Sequence, residues 1–196
     1  SSGLIDIAAG GAVTVGGDVT TTTVTGGSIT VQGTSITLSA NVGAANNSQI
    51  SLTATGGAVT RTAGTVGTGG TLSMSATAGI GVAGTPIVSA AAVVGFTNGA
   101  AGAVAITDST AGGTSFTGTN GPSAGTIDLT QTGGGLTIGA LNLSSNGGAI
   151  TLRSNAVTVT GTVVSGAAST YLLPDTASAV SINGAAGFDV SETELK

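Results

Sequence analysis

The chain has 196 residues, the length of one ordinary domain, with 36 glycines, 6% charged residues and 2% aromatic residues, against roughly 25% charged in average soluble domains. It contains no Cys, His or Trp, which excludes disulfide scaffolds, Cys/His zinc sites, haem ligation by His or Cys, and nucleophile–histidine triads. The net charge of −5 sets eight acids against Arg61, Arg153 and Lys196. No basic patch exists to neutralise phosphates, so nucleic acid is not an expected partner.

Low charge combined with 40% apolar residues and a mean hydropathy of +0.51 predicts a chain that collapses and folds. Its apolar side chains are Val, Ile, Leu and Ala, with Phe96, Phe116, Phe188 and Tyr171 the only large rings. These suit a narrow core. The start of the chain, Ser1-Ser2-Gly3-Leu4-Ile5-Asp6, has neither the basic segment nor the apolar run of a secretion signal, which points to a removed signal or an excerpt.

In chain order, one short unit recurs: Gly10-Gly11-Ala12-Val13-Thr14-Val15, Gly26-Gly27-Ser28-Ile29-Thr30-Val31, Gly56-Gly57-Ala58-Val59-Thr60, Gly69-Gly70-Thr71-Leu72-Ser73-Met74, Gly134-Gly135-Leu136-Thr137-Ile138 and Gly147-Gly148-Ala149-Ile150-Thr151-Leu152. Looser copies without the glycine pair include Ile36-Thr37-Leu38, Ile50-Ser51-Leu52, Val104-Ala105-Ile106, Ile127-Asp128-Leu129 and Val180-Ser181-Ile182. Each alternates with period two, placing aliphatic residues on one face and hydroxyl or other small residues on the other. Val, Ile and Thr favour a pleated setting. Glycine pairs and the Asn-Gly steps at Asn98, Asn120, Asn146 and Asn183 mark the bends.

No window carries capped helical periodicity. The stretch from Ile87 to Ile106 could reach across a bilayer in length, but Pro86, Asn98 and its Gly and Ser residues, with no flanking Lys or Arg, argue against a membrane span. Strands of three to five residues with small side chains fit a right-handed parallel β-solenoid better than a sandwich. Three strands and their bends would make a coil of about twenty residues, stacked at roughly 4.8 Å, giving about nine coils and almost no helix. Residues 1–190 form this single domain, and 191–196 a charged tail or boundary.

These units resemble the β-helical stalks of large bacterial surface exoproteins, namely filamentous-haemagglutinin-like adhesins of two-partner secretion and autotransporter passenger domains. Gly147 to Leu152, its cousins at 10–15, 26–31 and 56–60, and the Thr, Ser and Gly-rich intervals carry the likeness. No Asn-Pro-Asn-Gly-Ile type signature occurs, so the resemblance implies a repeat segment rather than a secretion-recognition end. It also implies an extracellular or cell-surface location.

Four sites merit weighing. Asp108 and Asp128 lie one expected coil apart, so they could stack as an acid–base pair on a polysaccharide, or serve as solubilising charges. Gly16-Gly17-Asp18 resembles the start of a calcium β-roll, yet no tandem Gly-Gly-x-Gly-x-Asp array follows. Asp189, Glu192 and Glu194 form the densest acidic group, consistent with a solvated tail. Thr20 to Thr23 with Thr25, and Thr158, Thr160 and Thr162, resemble ice-facing rows of solenoidal ice-binding proteins; their bland role is that of exposed strand residues.

On this basis no catalytic, cofactor-binding or metal residue is assigned, no cofactor is expected, and the protein is not expected to be an enzyme. The expected function is a rigid stalk or adhesive segment of a secreted or cell-surface bacterial protein. Alternatives are a self-assembling filament or sheath subunit, an ice-binding solenoid or, least favoured, a polysaccharide-degrading β-helix. Expected partners are neighbouring repeats of a longer chain or identical subunits end to end, together with cell surfaces or glycans. Recognition is expected in the irregular segments 41–49, 96–102 and 108–124.

Overall fold

The computed structural model describes residues 3–22, 26–121, 125–176 and 181–183, with side chains for all of these except 140–143 and 181–183. The first coil comprises β1 (Leu4–Ala8), β2 (Val13–Val15) and β3 (Val19–Thr21); the second comprises β4 (Ser28–Gly33), β5 (Ile36–Leu38) and β6 (Val42–Ala44). β7 (Gln49–Ala54) and β8 (Val59–Arg61) follow, and then β9 (Val66–Ala76) and β10 (Ile87–Asn98) run round corners without leaving strand geometry. The remaining coils hold β11 (Val104–Asp108), β12 (Thr114–Asn120), β13 (Ile127–Gln131), β14 (Leu136–Ser144), β15 (Ile150–Arg153), β16 (Ala156–Val159), β17 (Val163–Val164), β18 (Thr170–Leu173) and β19 (Ser181–Asn183).

The strands stack in parallel, coil on coil, as β1-β4-β7-β9 along one side and β2-β5-β8 along another. The molecule is an all-β parallel solenoid of about seven turns, with no helix among the described residues. Nine coils were expected because twenty residues were allotted to each. The second-side register instead advances by 23 residues, as the Thr37 to Thr60 and Ser39 to Thr62 pairs show. The bends consume the extra residues.

Alternation places one aliphatic side chain per coil directly above the next. On the first side the inward column runs Ile5, Ile29, Ile50, Leu72, Val94, Phe116, Ile138 and Val159. On the second it runs Val13, Ile36, Val59, Ile80, Val104, Ile127 and Ile150. All but the partly buried Ile5, which packs against it, belong to one continuous buried cluster, and burying each Ile, Leu or Val contributes about 1.5–3 kcal/mol before entropy is counted. Backbone groups pair between coils at the bends too, as in Val13 N to Ser35 O at 2.9 Å.

Most glycine pairs fall at bends as expected, among them Gly10-Gly11, Gly56-Gly57 and Gly147-Gly148, and Gly26 and Gly147 take positive φ, but the Gly69-Gly70 pair serves a different purpose. Gly70 lies inside β9, and an added Cβ there would strike the backbone of Asn47 and Ser48 in the preceding coil. That pair therefore permits coils to approach and supplies no positive φ. The Ile87 to Ile106 stretch forms β10 and part of β11, and among the described residues no helix is long and apolar enough to cross a membrane.

The cross-section changes along the rod. In the first coils a third side exists, formed by β3, β6 and the start of β9, and it ends on Ser89 to Ala91 of β10. Further on, β11, β13, β15 and β18 alternate with the first-side strands. Of the third ladder only the Ser89 position is carried on, to Asp108 and Gln131, while the ends of β12 and β14 pair separately on towards β17.

Candidate functional site

Asp108 sits where that third ladder stops. Its column begins as Val19, Val42 and Val66 and continues as Ser89, Asp108 and Gln131. The last strand of the third side leaves the Ala91 amide without a backbone partner below it, and Asp108 Oδ2 accepts that N–H at 3.0 Å. Ser89 Oγ donates to the same oxygen at 2.6 Å. Oδ1 accepts from Thr110 N at 2.8 Å and Gln131 Nε2 at 3.0 Å. Thr114 Oγ1 lies 2.6 Å from Oδ1 and 2.9 Å from Ala91 O, so its one proton serves one or the other. With 0% exposure and all partners inside the protein, Asp108 closes a sheet edge. It has no access to substrate.

Asp128 points the opposite way. It lies outward on β13 between Ala105 and Thr151, one residue from the buried Ile127 and Leu129. The stacked pair of carboxylates that the spacing left open does not form, because Asp108 pairs in register with Gln131 and period-two alternation sends Asp128 to the other face. Partial burial raises the Asp128 carboxyl above its usual range, and Arg153 offsets part of that rise.

Asp18 accepts from Asn41 N at 2.9 Å and from Asn41 Nδ2 at 3.1 Å, while Asn41 Oδ1 accepts from Thr65 N at 3.0 Å. It thus begins a side-chain ladder that ties three successive coils at the corner before the third side. No group of three or more acidic residues converges on a metal-sized site among the described residues. Asp189, Glu192 and Glu194 lie outside the described residues.

The threonines chosen for their density do not form rows. Thr20 is followed down its column by Gly43, Gly67 and Ala90, and Thr23 and Thr25 lie outside the described residues. Thr158 does continue a column, Thr71, Val93, Ser115 and Thr137, while Thr160 Oγ1 donates to Ile138 O at 3.1 Å. The segments expected to be irregular contain strands: β6 falls within 41–49, the end of β10 within 96–102 and β12 within 108–124. The bend that protrudes is 81–86, where Val82 and Thr85 bridge and Val82 is 52% exposed.

The outer first side carries a feature that density of threonine did not reveal. Two adjacent columns, Ser51-Ser73-Gly95-Thr117 and Thr53-Ser75-Thr97-Thr119, line an open groove of about 550 Å³. The sequence signal is visible once units are aligned by register, as Ile50-Ser51-Leu52-Thr53, Leu72-Ser73-Met74-Ser75, Val94-Gly95-Phe96-Thr97 and Phe116-Thr117-Gly118-Thr119. At Gly118 the Phe96 ring occupies the space of an absent side chain, with ring carbon Cδ2 only 2.6 Å from where a Cβ would stand. The chain matches no protein-family model, no curated protein and no solved structure.

Proposed function

We propose that this chain is a rigid structural segment of a secreted or cell-surface bacterial protein, acting as a stalk or fibre that holds binding regions at a distance and contacts its surroundings through its outer faces. The single observation supporting this is the unbroken aliphatic column, buried in every interior coil, combined with backbone pairing between successive coils. Such a body resists bending, because tilting one coil breaks ladder bonds and opens a dry core at once. Its hydroxyl-rich exterior keeps it dispersed with little charge.

The test is an immunoblot of the source cells with surface and interior fractions separated. A band far above 18.0 kDa in the surface fraction or medium is expected. A product confined to the cell interior would overturn the reading.

A further inference from the structure

We infer that the first-side groove binds an uncharged polysaccharide chain laid along the rod axis. Four observations lead there. The groove is lined by the hydroxyls of Ser51, Thr53, Ser73, Ser75, Thr97 and Thr117, and these make no side-chain hydrogen bond to the described protein. On the second side the equivalent groups bind each other and the backbone: Thr37 and Thr60 hydroxyls lie 3.3 Å apart, Ser39 and Thr62 lie 2.8 Å apart, and Thr60 Oγ1 donates to Ile36 O. The groove hydroxyls are thus free to donate and accept outward, as a polyol requires.

Charge narrows the ligand. Among the described residues of this face only Asp6, at the first coil, carries a charge; a uronate or sulfated chain would find no cation, whereas a neutral sugar chain loses nothing by that. Shape narrows it further. Gly95 interrupts a column of Ser and Thr, yet a Cβ there would meet nothing within 4 Å and its φ is not positive. Neither packing nor backbone demands that glycine, and its effect is to open the wall between Ser73 and Thr117. The result is a concave channel, which suits a linear chain better than a flat lattice such as ice. It spans four coils, roughly 14 Å at the strand spacing, enough for a short oligosaccharide.

This rests on the extracellular reading for its setting, because extended structural polysaccharides lie outside the cell, but it is tested apart from it. The intact chain is titrated calorimetrically with cellohexaose, xylohexaose and chitohexaose, and with trigalacturonate as an anionic chain. At least one neutral oligosaccharide is expected to bind with a Kd of about 1 mM or below, trigalacturonate more weakly. Gly95→Tyr, which fills the channel, and the double variant Thr97→Val with Thr117→Val, which keeps its shape and removes two hydroxyls, are each expected to weaken binding about tenfold or more with unchanged melting temperature. Gly95→Thr, which only completes the column, serves the same purpose should the tyrosine disturb folding.

Binding by none of the neutral oligosaccharides, equal binding by the groove variants, or preference for trigalacturonate would each overturn the inference. So would inhibition of ice recrystallisation that the groove variants lose while no sugar binds. A chain found only inside cells would remove the stalk reading and leave the titration result standing.

Discussion

Between Val66 and Ser89 one column of the solenoid changes character. Above that step Val19, Val42 and Val66 fill the third side with apolar side chains; below it Ser89, Asp108 and Gln131 fill it with hydrogen bonds. A neighbouring corner changes in parallel, from Gly33, Ala54 and Ala76 to Asn98 and Asn120, where Asn98 Nδ2 donates to Asn120 Oδ1 at 2.6 Å. The three-sided half closes by burying methyl groups. Where the third ladder ends, unpaired strand groups would be orphaned in a dry interior, and polar side chains become the cheaper solution. The polar half therefore depends more on each individual partner than the apolar half does.

The largest predicted effect applies to both halves. Ile127→Asp is expected to lose more than about 4 kcal/mol, because a charge would enter a core with no partner, and the variant should be unfolded by circular dichroism. Thr130→Asp is the outward control, within about 0.5 kcal/mol, since its register neighbour is Arg153. Thr151 is the poorer control because it faces Asp128 across the ladder. Similar losses at Ile127 and Thr130 would mean that the two faces are not distinguished.

Next is the contrast between halves. Asp108→Ala leaves the Ala91 and Thr110 amides and the Ser89 hydroxyl without their acceptor and takes one of the two acceptors of Gln131 Nε2, which keeps Thr114 Oγ1, and is expected to cost roughly 3 kcal/mol or more. Val42→Ala in the same column leaves only a small void, roughly 2 kcal/mol. Urea melts of both variants measure the difference, and a smaller loss at Asp108 would reverse the ranking of the halves. Asn120→Ala is expected to follow at about 2 kcal/mol, as it removes the donors to Gly102 O and Thr126 O and one of the acceptors of Asn98 Nδ2, which keeps Ala101 O and Gly102 O.

The smallest effect is at Asp128. Its carboxyl binds protons more tightly in the fold than its ordinary value of 3.8, so the folded state loses stability as pH rises through the raised value and regains it as pH falls towards 3.8. Asp128→Asn should stabilise the protein at neutral pH by less than about 1 kcal/mol, given partial exposure, with the gain vanishing below pH 3.8. A gain that persists in acid would assign it to something other than the carboxyl charge.

Much of this was written in local pattern. Aliphatic-hydroxyl-aliphatic units such as Ile150-Thr151-Leu152 determine strand, face and parallel stacking, because period-two alternation needs no knowledge of distant residues. The inward placement of Ile127 and Ile150 followed from that alone. The coil count did not, since bend length depends on how closely coils approach, and glycines such as Gly70 act against the backbone of a neighbouring coil. Nor could spacing along the chain locate the groove: twenty residues between Asp108 and Asp128 suggested a shared face, while the register offset them by three positions and sent them to opposite sides. The sequence by itself determined which side chains face inward and that the chain must stack on itself. Only the tertiary structure decided which residues of successive coils lie side by side, where the third ladder ends and which hydroxyls remain unbonded, because cross-coil register is set by contacts between residues more than twenty positions apart.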